Sequence, residues 1–244
     1  SQYLNRALNG KGVILYGHWE ETAPNKEVVD LKLEIERGLR AVRGRAYQKL
    51  GLKFHIYKND VWKVARVKYC IDSTRVLGCS KAGSRPDVYL VAGVNNTTDL
   101  DLNNPHAKSK SVANLMLHEA AHKLHHSLLY LTEFSMTGQI LLKSKFTKAW
   151  AAAYNPVNER QCEYLPIIGG TKWGDTSNLP RCGFVAAYGA SNYLNKLLVV
   201  RFQEDIASMT EMLYFDSGIR KRGDYPKDPR YKQKEAILKK YGFL

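Results

Sequence analysis

Two histidines four residues apart, with a glutamate beside the first, are the residues of this chain best suited to chemistry. The segment from His118 to His122 reads H-E-A-A-H, the pattern H-E-x-x-H. Residues four apart lie on one face of an α-helix, so both imidazoles can bind one zinc ion. Glu119 lies one position further round, where it can accept a proton from a water on that metal. The spacing predicts a zinc site with Glu119 as the general base.

The same pattern also fits an amphipathic helix with two histidines on its surface. His125 and His126 follow directly and raise the local histidine content. The helical context favours the zinc site, because residues 109–130 carry apolar side chains at intervals of three and four, and Ser111 is placed to cap the start.

A catalytic zinc ion needs a third protein ligand and one open position. Leu128 stands where an extended zinc motif has a third histidine, so this ligand must come from elsewhere. We favour Glu204, because it interrupts the mainly apolar face of a second predicted helix and a buried carboxylate is costly unless paired or metal-bound. Glu211 and Asp175 are rival ligands. Glu211 could instead accept a hydrogen bond from a ligand histidine, and Glu204 could be an acid on the helix surface.

The late helix reads E-D-I-A from Glu204 to Ala207. With H-E-x-x-H, it resembles the gluzincin-type zinc metallopeptidases, in the branch of the anthrax lethal factor catalytic domain and many secreted bacterial zinc peptidases. The resemblance covers roughly residues 85–215. It implies an α+β, zincin-like domain in which a small mixed sheet packs on the H-E-x-x-H helix and a second helix brings Glu204 as the third ligand.

The resemblance also implies a tyrosine that stabilises the oxyanion of the tetrahedral intermediate. Residues 183–188 read G-F-V-A-A-Y, as in some members, so Tyr188 is the candidate. A core or surface tyrosine is the alternative. Two features depart from the family: residues 189–203 make the gap to Glu204 long, and Ser208 stands where a further acid often follows.

These residues predict a zinc-dependent endopeptidase in which Glu119 acts as general base on a zinc-activated water. By analogy with the family, we expect an extended substrate to pair with a sheet edge near Asp87–Val94. Two other classes stay open: a non-catalytic, zinc-stabilised secreted binding module, and a basic nucleic-acid-binding protein.

The positive net charge favours acidic partners but does not identify their chemical class. The 244 residues include 37 Lys and Arg against 23 Asp and Glu, a net charge of +14. The basic residues are spread out, and no RNA-binding or zinc-finger motif accompanies them, so nucleic acid is a weak prediction. We expect a protein or peptide substrate, with acidic ones favoured. No apolar stretch approaches the ~18 residues of a membrane span.

Four cysteines suggest an oxidising compartment. The simplest pairing is local, Cys70 with Cys79 and Cys162 with Cys182, and it predicts a secreted or periplasmic protein. Four buried free thiols in a cytosolic protein are the alternative.

The order of elements predicts one mixed α+β domain over residues 1–244, with a helical region at about 1–50 and a basic tail at about 217–244. Within it, the patterns predict these elements: a helix over 27–50; strands over 52–57, 61–69 and 87–94; and helices over 109–130, 144–154, 197–216 and 232–241.

Overall fold

The computed structural model describes residues 8, 10–17, 26–70, 76–81, 85–92, 111–129, 144–154, 183–185, 198–216, 218–221, 223 and 225–244. Over these residues the fold is mixed α+β, with seven α-helices and a sheet of four strands. The chain forms two compact units, Ser1–Lys123 and Leu124–Leu244. The predicted single domain over 1–244 stays a prediction.

The first unit holds the sheet. Its elements are β1 (Val13–Tyr16), α1 (Lys26–Ala41), α2 (Arg45–Gln48), β2 (Lys53–Tyr57), α3 (Asn59–Tyr69), β3 (Gly78–Ser80), β4 (Asp87–Val91) and most of α4 (Val112–Leu129). The strand order is β1-β2-β4-β3, in which β1, β2 and β4 are parallel and β3 is antiparallel to β4. The sheet is therefore mixed, as expected.

One strand prediction and one sheet-edge prediction are wrong, whereas the strand predicted over 87–94 is present as β4. Residues 61–69 belong to helix α3, whose buried positions Trp62, Ala65 and Arg66 have helical spacing. Val64 and Val67, which suggested a strand, are 72% and 52% exposed. Burial of one helix face thus overrides their β-propensity. The expected sheet edge at 87–94 is also wrong, because β4 pairs with β2 on one side and with β3 on the other.

The region at about 1–50 is less helical than predicted. Strand β1 lies within it and pairs with β2 through Val13–Phe54 and Leu15–Ile56. The predicted helix over 27–50 is two helices, and Gly44 is the N-cap of the second. A four-residue apolar run such as β1 gives too short a pattern to distinguish a strand from other structures.

Helix α4 is fixed at its start by polar contacts and along its length by burial. The Ser111 hydroxyl accepts a hydrogen bond from the Asn114 amide at 3.3 Å, which confirms the predicted cap. Glu34 of α1 accepts another from the Ala113 amide at 3.3 Å, where a carboxylate also suits the helix dipole. A Cβ at Gly38 would lie 2.4 Å from the Met116 sulfur, so a larger residue at this position would require the Met116 side chain to shift.

The sheet face that carries His55 is polar and aromatic. His55 donates from Nε2 to Asp87 at 2.7 Å, and its Nδ1 then accepts from the Tyr16 hydroxyl at 2.8 Å. The rings of His55 and Tyr89 are stacked at 4.8 Å, and those of Tyr89 and Tyr69 at 4.5 Å. This face therefore joins β1, β2, β4 and the end of α3 by side-chain contacts.

The second unit is helical where it is described. It contains the end of α4, α5 (Lys145–Tyr154), α6 (Leu198–Tyr214), a 3₁₀-helix (Ile219–Lys221) and α7 (Pro229–Lys240). The predicted helices over 144–154, 197–216 and 232–241 are confirmed, although the last begins three residues earlier. Asp228 caps it by accepting from the Arg230 amide at 3.0 Å, with Pro229 in its first turn.

A fully buried ion pair joins α6 to α7. Lys234 Nζ lies 2.5 Å from an Asp205 carboxylate oxygen and donates to the Gly183 carbonyl at 2.6 Å. The other Asp205 oxygen accepts from the Val185 amide at 2.9 Å. Burial lowers the pKa of Lys234 while Asp205 opposes that shift. Buried charges need such partners, because desolvation is costly.

Candidate metal centre

His118, Glu119 and His122 form one buried group on α4. Each offers one donor atom, and these atoms all lie within 4.8 Å of one another. The two imidazole rings are 4.8 Å apart between centroids and nearly perpendicular. One helical turn separates the two histidines, so the local geometry follows from the spacing alone.

Burial contradicts the alternative of two surface histidines. His118 is 3% exposed and His122 is 8% exposed, and every residue from 115 to 125 is buried. The polar residues of this stretch are therefore enclosed, unlike those of an amphipathic helix on the surface, which face solvent. Buried imidazoles and carboxylates require hydrogen-bonding or metal partners.

The donor set fits a zinc ion. Imidazole nitrogens bind zinc at about 2.0–2.1 Å, so two of them in a tetrahedral site are about 3.4 Å apart. The three residues could therefore hold a metal ion, with the histidines as the ligands suited to zinc.

The end of the Glu119 side chain lies against the edge strand β3. A Cβ built at Gly78 would be 3.3 Å from Glu119 Cγ and 3.4 Å from Glu119 Oε1. It would also lie 3.2 Å from the Tyr89 carbonyl oxygen. Any larger residue at position 78 would consequently press on the carboxylate, and glycine leaves it room.

Lys123 binds the ends of the connection between β3 and β4. It is 5% exposed, and its ammonium group donates to the Lys81 carbonyl and, at 2.7 Å, to the Arg85 carbonyl. Burial lowers the pKa of Lys123, while the nearby charges of Asp87 and Glu119 oppose that shift. The residue after His122 thus ties this connection to helix α4, which carries the candidate metal group.

Glu204 and Glu211 both lie on α6, in the second unit. Glu204 is partly exposed, and Glu211 is 3% exposed. Asp205, beside Glu204, is engaged in the pair with Lys234. The ligand role of Glu204, and that of its rival Glu211, stays a prediction.

Part of the predicted site lies outside the described residues. This holds for Tyr188, for Asp175 and for the predicted pair of Cys162 and Cys182. The described piece of the G-F-V-A-A-Y stretch, Gly183–Val185, is anchored to α6 and α7 by Asp205, Lys234 and the Tyr231 hydroxyl, which donates to the Phe184 carbonyl at 2.9 Å.

The predicted disulfide between Cys70 and Cys79 is confirmed, with 5.8 Å between the two Cα atoms. It links the residue after α3 to the middle of β3. Two neighbours of the candidate metal group, Gly78 and Lys123, were not predicted from the sequence. A lysine directly after the second histidine and a glycine beside a half-cystine were the available signals.

Comparison of the chain with known protein families, curated proteins and solved structures gives no match. In the part of the chain that the structure describes, no helix is both long and apolar enough to cross a membrane. The secreted or periplasmic location and the acidic substrate stay predictions.

Proposed function

We propose that this protein is a zinc-dependent endopeptidase of the gluzincin type. The observation that carries the proposal is the buried group of His118, Glu119 and His122, in which two imidazoles and a carboxylate share one site. A structural zinc site needs four ligands and no base, whereas H-E-x-x-H adds a carboxylate beside two ligands.

A zinc ion bound there would act as a Lewis acid and lower the pKa of its bound water towards about 7. His118 and His122 would hold the metal, and Glu204 is the proposed third ligand. Glu119 accepts the proton of the attacking water on a carboxylate oxygen and then delivers it to the nitrogen of the leaving amine. Tyr188 is the proposed donor to the oxyanion.

A zincin-like arrangement is part of the proposal. It is supported by a small mixed sheet whose antiparallel edge strand, β3, lies beside the Glu119 side chain.

The other two classes make different predictions. A zinc-stabilised binding module would hold the metal with its fourth position closed and would cleave no peptide. A nucleic-acid-binding protein would use basic surfaces such as the depression of about 340 Å³ lined by Lys11, Arg40 and Arg43, and its affinity would fall steeply with salt.

The test is digestion of a diverse peptide library by the full chain loaded with zinc. We expect cleavage that a chelator abolishes and added zinc restores, because the metal is required for attack by water. Cleavage that survives complete removal of the metal would overturn the proposal. So would a zinc-loaded chain that cleaves neither the library nor unfolded proteins.

A further inference from the structure

The edge strand β3 is placed to set the position of the Glu119 carboxylate. Among the strands that the structure describes, it pairs with β4 alone, through Gly78–Leu90 and Ser80–Val88. Gly78 lies on the face that contacts Glu119. A strand of three residues with one neighbour is weakly held by the sheet itself.

Contacts from the two neighbouring helices hold this strand in place. From α3, the indole of Trp62 donates to the Val76 carbonyl at 3.0 Å, just before the strand begins. The Cys70–Cys79 disulfide attaches the strand to the residue that follows α3. From α4, Lys123 binds the carbonyl of Lys81, directly after the strand ends.

The disulfide and the carboxylate act on opposite faces of the same strand. Successive side chains of a strand point to opposite faces. Cys79 therefore lies on the face of Tyr89, its partner in the ladder, whereas Gly78 contacts Glu119 on the other face. One peptide unit separates the disulfide from the glycine, so freeing Cys79 frees the backbone against which Glu119 lies.

We propose that Gly78 and the Cys70–Cys79 disulfide position Glu119, and that reducing this disulfide lowers turnover while the metal stays bound. The inference rests on the proposed function, which it extends to regulation by redox state. An external dithiol supplies two electrons and two protons: the S–S bond breaks, two thiols form, and the dithiol is oxidised to its own disulfide. His118 and His122 lie on α4, whereas the disulfide joins the residue after α3 to β3.

The test uses the full, zinc-loaded chain and the double variant Cys70→Ser/Cys79→Ser, which mimics reduction without adding a thiol that binds zinc. The measurements are amide hydrogen exchange of a peptide covering 76–81, zinc affinity by competition titration, and kcat and KM on a library-derived peptide. We expect exchange of 76–81 to become about tenfold faster or more, and exchange of a peptide covering 112–124 to stay unchanged. Zinc affinity should change by no more than about threefold, and kcat should fall by about tenfold, because displacing a catalytic group by a fraction of an ångström has effects of that size.

A second variant keeps the inference testable if the double variant folds poorly. Gly78→Ala places a Cβ against Glu119, and Gly10→Ala is its matched control because a Cβ there meets nothing within 4 Å. We expect Gly78→Ala to lower kcat about tenfold with zinc affinity retained, and Gly10→Ala to change neither.

An unchanged rate of amide hydrogen exchange over 76–81 in the double variant would overturn the inference. A fall in zinc affinity as large as the fall in kcat, in either variant, would overturn it too. Absence of peptide cleavage by the wild-type chain would instead overturn the proposed function. The exchange and zinc measurements would then still decide whether the disulfide holds the strand beside Glu119.

Discussion

We expect Glu119→Gln to abolish most peptide cleavage and to leave the proposed zinc site intact. The amide has nearly the same size as the carboxylate, so the buried packing on α4 is kept, but it cannot accept the proton of the attacking water. General-base catalysis contributes about 10²–10⁴-fold, so we expect kcat to fall by roughly 10³-fold. The measurement is single-peptide kinetics beside the zinc content of the purified variant.

The matched control is Glu36→Gln, the same change at a partly exposed residue of α1 outside the metal group. It should cleave at the wild-type rate. A Glu119→Gln variant that cleaves as fast as this control would show that another group is the base. Loss of zinc from Glu119→Gln would show that the glutamate is a ligand instead.

We expect Glu204→Ala to weaken zinc binding more than any other substitution on α6. Removing groups that merely support ligands lowers metal affinity by 10–100-fold, so we expect loss of a ligand to cost at least about 100-fold. Turnover should fall in parallel under limiting zinc. A competition titration with a chromophoric chelator measures the affinity, and circular dichroism confirms that the helix content is kept.

Glu211→Ala is the comparison that decides between the two acids of α6. If Glu204 is the ligand, Glu211→Ala should lower the zinc affinity by no more than the roughly 10–100-fold typical of a group that only supports a ligand. The reverse order of effects would assign the third ligand to Glu211. Retention of tight stoichiometric zinc by both variants would place the third ligand elsewhere, with Asp175 the next to test.

What the sequence predicted well depends on local geometry. The grouping of His118, Glu119 and His122 follows from the helical turn, which brings residues four apart to one face. The same holds for the Ser111 cap and for the short disulfide between Cys70 and Cys79, whose partners are close along the chain. Residue types and spacing are sufficient for such features.

The features that the sequence did not predict are contacts between elements that are distant along the chain. Strand β3 carries no alternating apolar pattern and was not predicted. The analogy with the family placed β4 at a sheet edge, although Gly78–Ser80 covers it. The exposed valines of α3 suggested a strand, because alternation and helical spacing overlap in a short segment. The contacts of Lys123 could not be predicted from the sequence, because its acceptors are backbone carbonyls about 40 residues away, at Lys81 and Arg85.

Zinc K-edge X-ray absorption of the purified, metal-loaded chain tests the central claim most directly. We expect one zinc ion per chain, with nitrogen and oxygen neighbours at about 2.0–2.1 Å and the multiple-scattering signal of two imidazoles. The imidazole signal should disappear in the His118→Ala/His122→Ala double variant. A chain that binds no stoichiometric zinc, or a spectrum dominated by sulfur at about 2.3 Å, would contradict the account.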